Sequence, residues 1–261
     1  MMRAKIILCG MAAVFAQASL AAGPSPVVAD TFVEADEGSK NAGSAGSVII
    51  KNNPINNINV RIGFLRFDLS GEDGTFQRTD GLNMAISNAD VPPYEFEIWG
   101  LNANTSWDES TLTWATANSD VVTIDTGYTG QDAWGFDTDA ATLLATCDTP
   151  SDATPTYEFF CGSANLVSYM NSNIGESDVT LLIRRTDTDA KANFAFLSKE
   201  AAAGPDDEVG FYIPTFGAEG RFGGPEVARE SVPVPTLPIW SLLGLVSALG
   251  WIARRRLRAA A

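Results

Sequence analysis

Hydrophobic and polar residues alternate along most of the central part of the chain. In one segment, Tyr94, Phe96 and Ile98 are separated by Glu95 and Glu97. Because successive side chains of a strand point to opposite faces, this period of two predicts β-strands with one buried face. The pattern predicts strands over residues 30–33, 47–51, 60–69, 82–87, 94–98, 121–125, 157–161, 179–184, 192–197 and 209–213.

The longest predicted strand changes its alternation part-way along. Val60, Ile62 and Phe64 occupy alternate positions, whereas the apolar residues that follow are Leu65 and Phe67. One extra residue reverses the face that later side chains occupy, so the switch predicts a β-bulge at Phe64.

A short helix is predicted between two of the strands. Ser163 is a suitable N-cap, and Leu166, Val167, Tyr169 and Met170 fall on one face at helical spacing.

These elements together predict an all-β fold. Clusters of Gly, Asn, Asp and Pro separate the strands, as turns require. About ten strands and one short helix indicate a two-sheet β-sandwich of jelly-roll type over residues 22–216. Residues 217–231 are rich in Gly and charge and are interpreted as a linker.

The first 21 residues have the organisation of a secretory signal peptide. A basic start precedes an apolar segment at 6–20, and the small residues Ser19 and Ala21 stand at the −3 and −1 positions of a cleavage site. The remainder is therefore expected to be exported.

A second apolar segment lies near the end of the chain. Residues 237–253 carry no charge and as a helix would extend roughly 25 Å, slightly less than a hydrocarbon core of about 30 Å. Trp240 and Trp251 lie near its ends, where indole rings favour the membrane interface. The predicted transmembrane helix stops at a basic group that would stay cytoplasmic, formed by Arg254, Arg255, Arg256 and Arg258.

A proline motif introduces this segment. The motif consists of Val232, Pro233, Val234, Pro235, Thr236 and Leu237, followed by Trp240. With the marginal span and the basic end, residues 232–261 resemble the sorting signals of Gram-negative bacteria called PEP-CTERM and IPTL-CTERM. The resemblance implies a sorting protease of the exosortase type that cuts near the motif. A permanent membrane anchor is the alternative.

Charge and composition limit the possible chemistry. The chain has 17 basic and 32 acidic residues, and because six basic residues lie at the two ends, the middle carries eleven bases, 32 acids and a net charge of −21. Such a surface argues against nucleic acid and suits neutral polymers, divalent cations or simple solubility. Calcium is considered at the acidic loops 136–140, 186–190 and 204–208, but none has the EF-hand spacing, and no metal site or cofactor is assigned.

The chain contains no histidine, which excludes Ser-His-Asp and Cys-His catalysis and HExxH zinc sites. A carboxylate-based glycosidase would need two acids facing each other across a cleft. Asp108 and Glu109 are adjacent and would point to opposite faces of a strand, so Glu109 is interpreted as the anchor of a turn. No catalytic residue is assigned.

Two cysteines remain after removal of the predicted signal peptide, which contains Cys9. Outside the cytoplasm, Cys147 and Cys161 are expected to form a disulfide, with two free buried thiols as the alternative.

Three stretches carry a resemblance to a known family. They are "ADTFVEADEGSKNAGSAGSVIIKNN" running into "VRIGFLRFDLS", then "SWDESTLTW", and finally "FAFLSKEA" followed by "EVGFYIPTF". Over residues 29–216 the chain resembles the DNRLRE domain, a bacterial and archaeal extracellular β-sandwich related to carbohydrate-binding modules. "TWATAN" and an insertion at residues 127–156 depart from the family pattern. Some members bind acidic polysaccharides such as alginate.

The resemblance directs attention to residues that could hold a sugar. Trp134, in a polar loop, and Trp99 are candidates for stacking on a pyranose ring, whereas Trp107 and Trp114 are assigned to the core because Leu112 lies between them. An acidic polymer would need a basic strip, for which the candidates are Arg61, Arg66, Lys51, Arg184 and Arg185. The favoured alternative is that these side chains pair with the many carboxylates.

The sequence thus predicts an exported, non-catalytic protein of the cell surface or extracellular matrix that associates with extracellular polysaccharide. A structural or adhesive surface protein without sugar binding is the first alternative. A polysaccharide-cleaving enzyme is the second.

Overall fold

The computed structural model describes residues 21–35, 37–52, 60–89, 93–125, 135–137, 139–150, 158–186, 193–203 and 212–222. The chain divides into the units Met1–Pro225 and Glu226–Ala261, and all described residues belong to the first. The predicted signal peptide before residue 21, the sorting motif and the basic end lie outside them. Within the described residues, no helix combines the length and the apolar character needed to cross a membrane.

The described residues are mostly β. Their strands are β1 Ser25–Glu34, β2 Ser47–Ile50, β3 Arg61–Phe67, β4 Gly81–Ala89, β5 Glu95–Leu101, β6 Ile124–Asp125, β7 Gly135–Phe136, β8 Ala141–Asp148, β9 Glu158–Cys161, β10 Val179–Arg185, β11 Phe194–Leu197 and β12 Thr215–Gly217. The helical elements are α1 Trp114–Thr116, which continues into a π-helical turn at Ala117–Val121, then α2 Ala164–Ser172, and a 3₁₀ turn at Lys199–Ala203.

Ten of the described strands pair antiparallel in two groups, and β6 pairs with β7 in a separate two-stranded sheet. One group has the order β1-β3-β10-β5-β8. In the other, β4 pairs with β9, β12 and β11, and β11 pairs with β2. Ser25 and Pro26 of β1 pair with β12, while the rest of β1 pairs with β3, so β1 passes from one group to the other.

A large apolar core lies between the two groups, as the predicted β-sandwich requires. Alternate residues of strands in both groups point into it, because a strand buries every second side chain. The core, called the inner core below, includes Val48, Ile50, Leu65, Phe67, Leu82, Met84, Ile86, Phe96, Ile98, Val179, Leu181, Ile183, Phe194, Phe196 and Phe216.

The bulge predicted at Phe64 is wrong. β3 pairs with β10 in unbroken register from Phe67 to Gly63. Ile62 and Phe64 are buried on one face of the strand, and Leu65 and Phe67 are buried on the other. Both faces of β3 are therefore covered, and the change in the apolar pattern needs no extra residue. The register shift lies instead in the neighbouring β1, between Val27 and Ala29.

A second apolar cluster covers the face of β3 that points away from the inner core. Its covering residues come largely from segment 106–124, called the cover segment below. The cover segment contributes Trp107, Leu112, Trp114, Ala117, Val122 and Ile124, and Phe136 and Ala141 complete the cluster. Of the strand predicted at 121–125, only Ile124–Asp125 forms, because the π-helical turn continues to Val121.

The predicted helix and disulfide are confirmed. The Ser163 hydroxyl accepts a hydrogen bond from the Leu166 N–H at 3.0 Å, and Leu166, Val167 and Met170 are buried. A disulfide joins Cys147 of β8 to Cys161 of β9 and so links the two strand groups at their edge.

Candidate functional site

An open cleft of about 490 Å³ lies beside the register shift in β1. Its walls are Val28 and Ala29 of β1, Arg66 of β3, and residues 106–109 at the start of the cover segment. The shift in β1 turns the Val28 side chain outward, and its exposed fraction of 43% is high for an aliphatic residue. The volume falls within the range of about 300–1,000 Å³ that small-molecule sites occupy.

Arg66 lines the cleft from β3. Its Nη1 donates hydrogen bonds to the Trp107 carbonyl and to Asp178 Oδ1, the latter at 3.3 Å. The guanidinium also lies 5.4 Å from the centroid of the Trp107 ring, a distance suited to a cation–π contact. Arg66, a predicted ligand-binding residue, therefore reaches the cleft with its charge already paired.

Asp108 shapes the cleft wall through a tight local turn. Its Oδ1 accepts hydrogen bonds from the Ser110 N–H at 2.7 Å and the Ser110 hydroxyl at 2.6 Å. These bonds, with a smaller contribution from the Arg66 charge, lower the pKa of Asp108. The carboxylate is fully exposed, so it can accept further hydrogen bonds from a ligand.

Glu109 does not anchor the turn as the sequence suggested; Asp108 does so. Glu109 makes long-range contacts instead, because its Oε2 accepts a hydrogen bond from the Asp30 N–H at 3.2 Å. Its Oε1 forms an ion pair with Lys199 Nζ at 2.7 Å. Both carboxylate oxygens are therefore used to fix the cover segment to β1 and to the 3₁₀ turn.

Trp107 connects the cleft to the sheet beneath it. The ring is 6% exposed, its Nε1 donates to Thr180 Oγ1 at 2.9 Å, and it packs edge-on against Phe64. Trp114 is buried as well, so the core assignment of both tryptophans is confirmed.

The Asn-Ala-Gly stretch at residues 41–43 also fixes the cover segment through hydrogen bonds. Asn41 Nδ2 donates to the Glu109 carbonyl at 2.6 Å and to the Leu112 carbonyl at 2.8 Å, and Asn41 Oδ1 accepts from the Gly43 N–H at 3.1 Å. A Cβ at Gly43 would stand 1.9 Å from the Glu109 carbonyl oxygen, so the close approach requires glycine.

A buried carboxyl lies behind the cleft. Asp30 is 1% exposed, and its Oδ2 accepts the Lys199 N–H at 2.9 Å. Burial raises the pKa of Asp30 well above its ordinary value. The hydrogen bond from the Lys199 N–H lowers this pKa in part, and the adjacent Glu200 raises it again. Asp30 Oδ1 and Glu200 Oε2 are both buried without a hydrogen-bond partner. One proton held between the two carboxyl groups would satisfy both atoms.

Trp99, a candidate for stacking on a sugar ring, is 8% exposed. Its Nε1 donates to Glu97 Oε2 at 2.7 Å, Phe136 packs edge-on against the ring, and the Arg184 guanidinium lies 5.3 Å from its centroid. Arg184 also pairs with Glu97 at 2.7 Å. Trp99 therefore presents little surface on which a sugar ring could stack. Trp134, the other candidate, lies outside the described residues.

The proposed basic residues do not form one strip. Arg66 and Arg184 lie on the outer face of their sheet, whereas Arg185 lies over Tyr94 and Arg61 lies over Phe32, both on the inner side. Arg61 pairs with Glu34 at 2.7 Å, as Arg66 and Arg184 pair with acids. The backbone of Lys51 exchanges two hydrogen bonds with the backbone of Arg61. The pairing alternative therefore describes Arg61, Arg66 and Arg184 better than a basic strip does.

No group of three or more metal-binding side chains occurs in the parts of the chain that the structure describes. In the first acidic loop considered for calcium, Asp137 Oδ1 accepts the Asp139 N–H at 2.9 Å, which is an ordinary turn contact. Residues 187–190 and 204–208 of the other two loops lie outside those parts.

The molecule thus has the character of a small antiparallel β domain with an open, polar cleft on one face. Residues 23–143 match the model of carbohydrate-binding module family 96. The matched part runs from the start of β1 into β8 and contains every residue that lines the cleft. The chain matches no curated protein. The match supports the predicted relation to carbohydrate-binding modules, and assignment to the DNRLRE domain remains a prediction.

Proposed function

We propose that this protein is an exported, non-catalytic component of the bacterial cell surface or extracellular matrix, and that its β domain associates with extracellular polysaccharide. The observation that carries the proposal is the family match, because residues 23–143 include the complete lining of the cleft. The strand connectivity expected for the domain is that of a jelly roll.

The cleft has the groups that a sugar site needs. Sugars present hydroxyl groups that both donate and accept hydrogen bonds, and they present apolar C–H surfaces. Asp108 offers an exposed acceptor, Arg66 offers guanidinium donors, and Val28 offers an exposed apolar surface. These groups line one space, which β1, β3 and the start of the cover segment form together.

The state of the acids supports binding without cleavage. A glycosidase needs a carboxylic acid with a raised pKa that reaches the scissile bond. Within the cleft, the pKa of Asp108 is lowered and both oxygens of Glu109 are engaged by protein groups. Asp30 has a raised pKa but is 1% exposed.

The two ends of the chain carry the proposed export and sorting signals. Residues 1–21 would direct export, residues 237–253 would span the inner membrane, and the motif at 232–237 would be read by a sorting protease. The protein would then pass to the surface or matrix. If the protease cuts the chain, the intact mass of protein recovered from the cell envelope will lack the residues after the motif. If the segment is a permanent anchor, the intact mass will include them.

The binding proposal is tested by retention of the full-length protein on a panel of insoluble and gel-embedded polysaccharides. Delayed migration on at least one polymer is expected, without release of reducing sugar. Migration unchanged on the whole panel would favour the structural or adhesive alternative, and sugar release would indicate an enzyme.

A further inference from the structure

We infer that the cleft between β1 and the cover segment accepts an uncharged, hydroxyl-rich polysaccharide rather than a polyanion. The inference rests on the proposed function and adds the class of polymer. It depends on the charges of the cleft, the free hydrogen-bonding groups and the exposed apolar surface beside them.

The charge of the cleft opposes an anionic ligand. Its lining contains the two carboxylates of Asp108 and Glu109 and the single guanidinium of Arg66, a sum of −1. The Arg66 charge is already paired with Asp178, whose side chain lies 3.3 Å away. A carboxylated or sulfated sugar would therefore meet a fixed negative charge at Asp108 with no unpaired cation in the lining to offset it, and like charges brought together at an interface cost affinity.

A neutral sugar meets no such penalty. Asp108 uses Oδ1 for Ser110, which leaves Oδ2 on a fully exposed carboxylate to accept hydrogen bonds from sugar hydroxyls. The pKa of Asp108 is lowered, so the acceptor stays ionised at neutral pH. The described contacts of Arg66 use Nη1 and its Nε is buried, so the donors that remain for a hydroxyl oxygen are those of Nη2.

The cleft also has an apolar surface for the C–H face of a sugar ring. Val28 is 43% exposed, and Ala29 lies next to it in the lining. Val28 is exposed because the register of β1 shifts between Val27 and Ala29, so a feature of the backbone places it there. A carboxylate and an aliphatic surface in the same lining match the amphipathic character of a neutral hexose.

The chain offers a matched control for the central residue. Asp68 makes the same local turn as Asp108: its Oδ1 accepts the Ser70 N–H at 2.9 Å and the Ser70 hydroxyl at 2.6 Å. Asp68 does not line the cleft. Asp68→Asn and Asp108→Asn therefore perturb the same kind of turn and both remove a charge near Arg66, but only the second changes a residue that lines the cleft.

The test is affinity electrophoresis of the full-length protein and both variants. One set of gels contains neutral polymers, namely hydroxyethyl cellulose, mixed-linkage β-glucan, galactomannan or dextran. The other set contains alginate or polygalacturonate. We expect retention on a neutral polymer that persists at high salt. We expect Asp108→Asn to weaken it about tenfold or more, as loss of hydrogen bonds to a charged group does, and Asp68→Asn to leave it unchanged.

The other outcomes distinguish a failure of this inference from a failure of the proposed function. Retention on the polyuronates that weakens with salt would overturn the inference and leave the proposed function standing. Retention on a neutral polymer that is equal in all three proteins would also overturn it, because binding would then lie elsewhere. No retention on either set would overturn the proposed function and the inference with it.

Discussion

Strand β3 is buried on both faces, but in different ways. On the inner face, aliphatic residues and phenylalanines from both strand groups meet, and they need no polar partner. On the outer face, the cover segment lies over the sheet with tryptophans whose N–H groups must be satisfied, as Trp107 is by Thr180. The cover segment is fixed by individual polar contacts to Asn41, Asp30 and Lys199.

The difference separates stability from function. The inner core follows from the alternation of ordinary strands, which tolerates many apolar residues of suitable volume. The outer layer depends on a few side chains at fixed positions, and the cleft lies at its edge. Changes on the inner side should therefore affect unfolding of the whole domain, and changes on the outer side should act first on the cleft.

The largest effect is expected from removal of the disulfide. Replacing Cys147 and Cys161 with alanine should lower the free energy of unfolding by about 3 kcal/mol in the chain-entropy model, for a separation of 14 residues. Because the bond links the two strand groups, the loss should appear in global unfolding by urea. Reduced wild-type protein should unfold at the same urea concentration as the double variant. Equal midpoints for the oxidised wild type and the variant would show that the bond does not stabilise the sandwich.

An intermediate effect is expected on the outer face at Thr180. Thr180→Val keeps the shape but leaves the buried Trp107 N–H without its acceptor, at a cost of about 1–3 kcal/mol. Amide hydrogen exchange should increase first in the cover segment. The exposed Thr146→Val is the control and should change little.

A double-variant cycle makes this prediction specific. Trp107→Phe removes the N–H, so Thr180→Val should cost less in that background than in the wild type. Equal costs in both backgrounds would mean that this hydrogen bond contributes nothing to the stability of the outer layer.

The same contrast explains which features could be read from the sequence. Alternation identified most strands of the inner core, and Ser163 marked the start of α2, because each signal is local. Local alternation also produced the wrong bulge at Phe64. A strand covered on both faces has apolar residues at consecutive positions, and nothing in the strand itself shows that the cover segment lies over it.

The candidate site was harder to predict because its contacts are distant in sequence. Arg66 was identified, but its pairing with Asp178 joins residues 112 positions apart. Asp108 was considered only as half of a catalytic pair, although Asp-x-Ser is a recognisable turn signal. Val28 carried no signal, because its exposure follows from a register shift in β1.

At acidic pH, Asp30→Asn is expected to change the free energy of unfolding least of these variants. The change should become larger as the pH rises. Burial and Glu200 raise the pKa of Asp30 in the folded protein, whereas the unfolded chain loses this proton near pH 4. Above that pH the folded state holds more protons than the unfolded state, so the free energy of unfolding falls as pH increases through the raised pKa. Asparagine cannot titrate, and its amide can donate to Glu200 while its oxygen accepts from the Lys199 N–H.

The variant should therefore match the wild type near pH 4 and become the more stable of the two at higher pH, measured by urea unfolding across the pH range. Glu176→Gln, at an exposed acid, is the control and should follow the wild-type curve. A difference that stays constant with pH would mean that Asp30 is ionised throughout. In that case the two unpartnered oxygens would not share a proton, and Asp30 would stay charged although it is buried.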